Sequence, residues 1–232
     1  VYRKAEDNFS RLRREAPFIL EETPSLYCYR LRHNNHEQTG VAGCYSLEEY
    51  DQGLIKKHER TRRDKEDDRT RHMLALQAQT GVVFLTYRAS DSVKTVVHHT
   101  CQRAPVLDFT AADGVQHTLW RLSEIDQAAV AVAFGMLPAL YIADGHHRIA
   151  SAARVRDKLL ARGDGDAHIE AQFVLGVAFP DTETRILAYN RTVTTLGGYT
   201  SQGFLKAISA RFSVRPDANP DPYKGQVAMY LS

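Results

Sequence analysis

The sequence predicts an α+β (mixed α/β) fold, a mixed β-sheet with helices packed on it. Two runs near the start, 25–32 and 38–46, read as strands joined by the polar stretch His33 to Gln38. Two short unbroken apolar runs, Leu140–Ala143 and Phe173–Phe179, read as buried strands. Segments of helical period lie between these runs without strict alternation, which favours a mixed sheet over a doubly wound parallel one. A length of 232 residues suits one large domain or two small ones, at roughly 100–200 residues each.

Taken in order, residues 2–15 carry Ala5, Phe9 and Leu12 at helical spacing. Ser46 with Glu49 predicts a capping box for a short helix ending near Gly53. Asp64 to Gln79 reads as a helix with Met73, Leu74 and Leu76 inward. Strands are predicted at 82–87, 93–99, 104–109 and 115–121, with a turn at Ala111–Gly114. Ser123 to Phe134 reads as a helix. Leu140–Ala143 leads into the polar corner Asp144-Gly145-His146-His147-Arg148, and a helix from Ile149 to Ala161 closes at Gly163. A buried strand at 170–179, a strand from Arg185 to Tyr189 and a helix from Gly203 to Phe212 complete the prediction. Residues 1–80 are expected to form one lobe and 81–232 a second, with a cleft between them, or the two to be continuous. The opening at Val1 and the stop inside the alternation Val227–Leu231 predict truncation at both ends.

Composition narrows the function. Hydrophobic residues make up 43% and charged residues 25%, an ordinary balance that excludes a disordered or collagen-like chain. The net charge of +2 gives no general reason to expect a polyanion, and nucleic acid is not the expected partner. Cys28, Cys44 and Cys101 are odd in number and far apart, against a disulfide framework and for a reducing, cytoplasmic setting. The longest apolar run, Ala128 to Ala143, is broken by Gly135 and Pro138 and falls short of the ~20 residues of a membrane span.

Three motifs can carry chemistry. In the corner 144–148, a strand ends at a glycine and a helix begins. The first amides of such a helix lack intrahelical partners and favour an anion. Gly145 allows close backbone approach, Arg148 can bind phosphate oxygens, and His146 and His147 add donors near neutral pH. Asp144 can cap the helix, hold Mg²⁺ or accept a proton. The plainer alternative is a capped helix start with solvated polar residues. Zinc is disfavoured, because adjacent histidines diverge on a helix and no i, i+4 partner follows.

The second motif, Ile55-Lys56-Lys57-His58-Glu59-Arg60-Thr61, opens the most charged stretch. Lys56 to Arg71 holds eight basic and five acidic residues, a net of +3. Glu59 is a candidate general base, with Lys57 and His58 placed to tune it and Thr61 to bind phosphate or cap a helix. A solvated surface run is the equal alternative. The third motif, Tyr189-Asn190-Arg191-Thr192, reads first as a turn, though Asn190 and Arg191 can reach a ligand. His98–His99 sits in an alternating run and receives no role. No Gly-x4-Gly-Lys-Ser/Thr, Gly-x-Gly-x-x-Gly or Gly-x-Ser-x-Gly string occurs.

The strings Gly53–Thr61 and Tyr141–Arg148, together with Leu26–Arg30, Lys65–Arg69 and Leu119–Arg121, resemble a family long catalogued as a domain of unknown function, over nearly the whole chain. That family is related to the ParB/sulfiredoxin fold and includes free serine kinases. The resemblance implies a nucleotide-binding core in which Gly145, His146, His147 and Arg148 hold nucleotide phosphates. It further implies that an acidic residue activates the serine hydroxyl, and Glu59 is carried over by motif type. Asp144 and His147 complete the expected catalytic set. Lys57, His58, Thr61 and Arg191 are the expected substrate contacts. ATP or ADP and Mg²⁺ are the expected cofactors, with the metal's ligands unknown.

The expected function is therefore a nucleotide-dependent small-molecule kinase forming O-phosphoserine from free L-serine. The alternatives are a ParB-like nucleotide switch contacting DNA through residues 56–71, and a nucleotide phosphohydrolase.

Overall fold

The computed structural model describes residues 1–16, 18, 21–162, 165–187, 190–216, 222–223 and 225–231. The chain divides into two units, Val1–Thr184 and Arg185–Ser232. The first holds α1 (Tyr2–Glu15), β1 (Tyr27–His33), β2 (His36–Ser46), α2 (Leu47–Asp51), β3 (Ile55–Lys56), α3 (Arg63–Leu76), β4 (Val83–Tyr87) and α4 (Asp91–Cys101). It continues with β5 (Leu107–Thr110), β6 (Gln116–Arg121), α5 (Glu124–Gly135), β7 (Leu140–Asp144), α6 (His146–Leu160), a 3-10 helix (Gly165–Gln172) and β8 (Phe173–Pro180). The second unit holds α7 (Ser201–Ser209).

One eight-stranded sheet runs β3-β7-β4-β8-β2-β1-β6-β5. The pairs β3–β7 and β4–β8 are parallel and the others antiparallel, so the sheet is mixed, as the sequence predicts. Strands from 1–80 and from 81–184 interleave in it, so the two sequence lobes share one sheet.

Side chains alternate across each strand, and the register places Cys28, Val41, Trp120, Leu85, Val174 and Ala178 on one face. Val93 of α4, Val130 and Ala133 of α5, and Ile149, Ala152 and Ala153 of α6 join them in a single core. Each fully buried Ile, Leu or Val contributes about 1.5–3 kcal/mol by leaving water. The other face is more open. There Tyr29 bonds His117 Nδ1 at 2.6 Å, and Phe109 stacks on that imidazole at 5.1 Å.

Local sequence explains most boundaries. The Ser46 hydroxyl accepts from the Glu48 and Glu49 amides at 3.2 and 3.3 Å, starting α2 as predicted. The Ser123 hydroxyl caps α5 by accepting from the Asp126 amide at 3.2 Å. α3 stops at Leu76 rather than Gln79, because Gln77 turns left-handed at φ 50°.

The largest correction is 93–99, which forms α4 and not a strand. Val93, Val97 and Thr100 lie on one helical stripe, and burial of Val93 and Thr100 against the sheet outweighs the β-preference of branched side chains. The predicted strand at 104–109 begins only at Leu107. Residues 170–172 belong to the 3-10 helix that precedes β8. Arg185 to Leu187 are irregular, not strand, and Ala188 and Tyr189 lie outside the described residues, as does Gly163. The helix predicted at 203–212 is α7, at 201–209. Among the described residues, no helix is long and apolar enough to cross a membrane.

Candidate functional site

Two motifs far apart in sequence meet through a two-residue ladder. Ile55 pairs with Leu140 and Lys56 with Tyr141, in parallel. Parallel strands end on the same side, so the segment 57–62 leaves β3 beside the end of β7, where the corner 144–148 begins. Ile55 and Ile142 are fully buried and fix this edge of the sheet. Crevices at the carboxyl ends of parallel strands are the usual ligand sites of open sheets.

The corner itself is a left-handed turn. Gly145 has φ +98° and is the N-cap of α6, which starts at His146 and not at Ile149. A Cβ at Gly145 would lie 3.1 Å from Arg148 Nη1 and 3.3 Å from Val83 Cα. Positive φ costs a residue with a Cβ about 1–2 kcal/mol. Gly145→Ala is therefore expected to lower the unfolding free energy by about that amount in urea titration, since the neighbour it meets is backbone on one side.

Arg148 is committed to bracing. Its Nη1 donates to the Val82 carbonyl at 2.8 Å and to Asp144 at 3.1 Å. That differs from the guanidinium open to phosphate that the sequence suggests. Asp144 is correspondingly paired, though its carboxylate remains 71% exposed.

The two histidines hold the facing loop. His146 is buried; its Nε2 lies 3.5 Å from the His58 amide, at the limit of an accepted bond. Its Nδ1 lies 3.7 Å from Glu59 Oε2, and its ring meets the His58 ring edge-on at 4.4 Å. Burial lowers the His146 pKa most, and the nearby His58 lowers it further against the pull of Glu59 and Asp144. A neutral imidazole accepting at Nε2 carries its proton at Nδ1, toward Glu59. His147 Nε2 accepts from the Arg62 amide at 3.1 Å. Imidazole nitrogens expected to face phosphate thus receive backbone N–H groups instead. What the helix start keeps for an anion is the His146 and His147 amides, since the Arg148 amide already donates to the Gly145 carbonyl at 2.8 Å.

A cleft of about 360 Å³ is lined by Tyr50, Lys57, Glu59, Arg60, Thr61 and His146. Lys57 Nζ sits 4.2 Å over the Tyr50 ring. The Thr61 hydroxyl donates to the Glu66 carboxylate, which also meets Arg154 Nη1 at 3.2 Å. Thr61 is therefore tied to α3 and α6 rather than free as a phosphate ligand. Of the expected site residues, the structure brings Lys57, His58, Glu59 and Thr61 together with His146 and His147. Arg191 belongs to the second unit.

Two lining residues escaped the sequence reading, Tyr50 and Arg60. Tyr50 received no reading in the sequence, and although it is buried, Lys57 lies over its ring and both line the cleft. Arg60 stood within the motif, but its neighbours offered the more familiar chemistry.

Among the described residues, no group of three or more His, Cys, Asp or Glu side chains is arranged to hold a metal ion. From the protein a Mg²⁺ here would find the exposed Asp144 carboxylate, in keeping with the usual sparse protein ligation of that ion.

A sequence profile described as "Protein of unknown function (DUF1015)" matches residues 1–232. Searches of the curated proteins and of the solved structures found no significant match.

Proposed function

The chain belongs to the DUF1015 family, and from that premise we propose that it is a nucleotide-dependent small-molecule kinase acting on free L-serine. The observation that carries the reading is the placement of Glu59, Lys57 and Arg60 in one cleft with His146 at the amino end of α6. The resemblance to ParB/sulfiredoxin-like proteins and free serine kinases supports the choice of nucleotide and acceptor.

In this reading the His146 and His147 amides and the α6 dipole take up the negative charge of the transferred group. Lys57 and Arg60 add positive charge from the facing wall. Glu59 accepts the proton of the serine hydroxyl as its oxygen bonds to phosphorus and the bond to the nucleotide oxygen breaks. Neutral His146, with its Nδ1–H toward Glu59, orients that carboxylate. Mg²⁺ would neutralise phosphate charge.

The test is incubation of the full chain with ATP or ADP, Mg²⁺ and L-serine, with O-phosphoserine read by mass spectrometry. Product well above a Glu59→Ala control is expected. Nucleotide consumed at the same rate with and without serine, and no phosphoserine, would replace the kinase by a phosphohydrolase. Nucleotide bound without turnover would replace it by a switch.

A further inference from the structure

α5 is apolar on both of its sides. The inner side is pinned to the core: Asp126, Val130 and Ala133 are buried, and the Phe134 ring meets Tyr45 at 6.5 Å and Tyr87 at 5.3 Å. On the outer side Ile125 is 82% exposed, and Val132 and the C-cap Met136 are each 68% exposed. Ala128, Ala129 and Gly135 fill the surface between them. The described exposed residues from Ile125 to Pro138 carry no charge. A helix that is apolar all round belongs in an interior, and the inner contacts prevent α5 from rolling this stripe out of water.

The spacing of the stripe and its lack of charge say what it fits. Ile125, Ala129, Val132 and Met136 follow one another at intervals of four, three and four, the seam of paired helices. The seam offers no counter-charge to a charged partner. It offers none to lipid headgroups either, because α5 holds neither Lys nor Arg, and helices that lie on membranes carry those residues on the polar face. An uncharged stripe of the same spacing is available on a second copy of the chain. Set antiparallel, Ile125 of one copy faces Met136 of the other, and Ala129 faces Val132, so that small meets large at the centre. A parallel pair would set Ala129 against itself and leave a gap between Ile125 and Val132. The antiparallel pair also opposes the two helix dipoles.

We propose that the outer face of α5 is a self-association surface, through which two copies of the chain pair antiparallel about a two-fold axis. A contact in which the same patch meets itself closes at two subunits. α5 has 12 residues, about 18 Å of helix roughly 10 Å across. That is well below the roughly 800 Å² per partner of a stable interface, so the dimer dissociates on dilution. This inference is independent of the kinase reading.

The test is sedimentation of the full chain over a concentration series from about 1 to 500 µM, the range in which an interface of this size exchanges. The mass is expected to climb from that of one chain toward that of two. Val132→Glu and Ala129→Lys change exposed positions, so both are expected to keep the parental urea midpoint and each alone to stay monomeric. Mixed in equal amounts they are expected to regain the dimer, because position 129 of one copy meets position 132 of the other. Met136→Lys, also exposed, is expected to abolish pairing as Val132→Glu does, and stands in for it if that chain fails to fold. A parent that stays monomeric throughout the series overturns the proposal, as does a folded Val132→Glu chain that still dimerises. A mixture that stays monomeric overturns the antiparallel register and the pairing with it. Flotation of the parent with equimolar phosphatidylcholine–phosphatidylglycerol vesicles, lost in Val132→Glu, would give the face to a lipid surface and overturn it too.

Discussion

Glu59→Gln is expected to reduce phosphoserine formation by about 10²–10⁴-fold, the usual contribution of a positioned general base. The substitution keeps the shape of the side chain and removes its ability to take a proton. Glu59 is 59% exposed at its side chain and its carboxylate faces His146, so the variant should unfold at the same urea concentration as the parent. The loss should fall on kcat, since the hydroxyl proton moves only in the transition state, while KM for serine stays near the parent value. Lys57 and Arg60 differ in this respect, because they meet negative charge in the bound state too. A Glu59→Gln variant that retains parental kcat would remove Glu59 from the chemistry and leave the cleft as a binding surface.

Much of this site was readable before the structure, for a physical reason. The corner 144–148 announces itself because an apolar strand, a glycine and a polar helix start are local signals, each fixed by neighbours in sequence. The β1–β2 hairpin and the caps at Ser46 and Ser123 are local in the same sense. The meeting of that corner with residues 57–62 is not local. It depends on β3 joining β7 in parallel at the edge of the sheet, and two residues of ladder leave no periodic trace.

The misreadings follow the same line. In α4 the run Val93–Val97 carries both a strand-like composition and a helical spacing, and only the sheet beneath decides between them. The sequence offers Arg148 to phosphate, and only the folded chain shows its Nη1 donating to the Val82 carbonyl and to Asp144.

Asp126→Asn is expected to be among the most damaging single changes to stability, at about 2–3 kcal/mol, because a buried carboxylate there serves several donors at once. Asp126 sits in the first turn of α5 with only 7% of its side chain exposed. It accepts from the Ser123 hydroxyl at 2.8 Å, from His99 Nδ1 at 3.1 Å and from Thr100 Oγ1 at 3.4 Å. It also pairs with Arg103 Nη2 at 2.9 Å. His99 lies in the last turn of α4 and Arg103 just beyond it, so the cluster joins donors at one helix end to an acid at the start of the next. Asparagine offers one acceptor and turns an amide toward these donors. Thermal unfolding of the variant should shift down by about 5–10 °C, at roughly 2–4 °C per kcal/mol for a chain of this size.

Acid should reveal the charge behind that loss. Burial raises the Asp126 pKa, but the Ser123 hydroxyl, His99 and Arg103 together hold it below the ordinary carboxylate value of 3.8. A carboxylate depressed by folding stabilises the native state above its unfolded value, and that contribution is lost as pH falls through the folded value. The unfolding free energies of parent and Asp126→Asn should thus differ fully at about pH 5 and draw together as pH falls below the ordinary carboxylate value of 3.8. A gap that stays constant across that range would show that shape alone, and not the buried negative charge, holds α4 to α5.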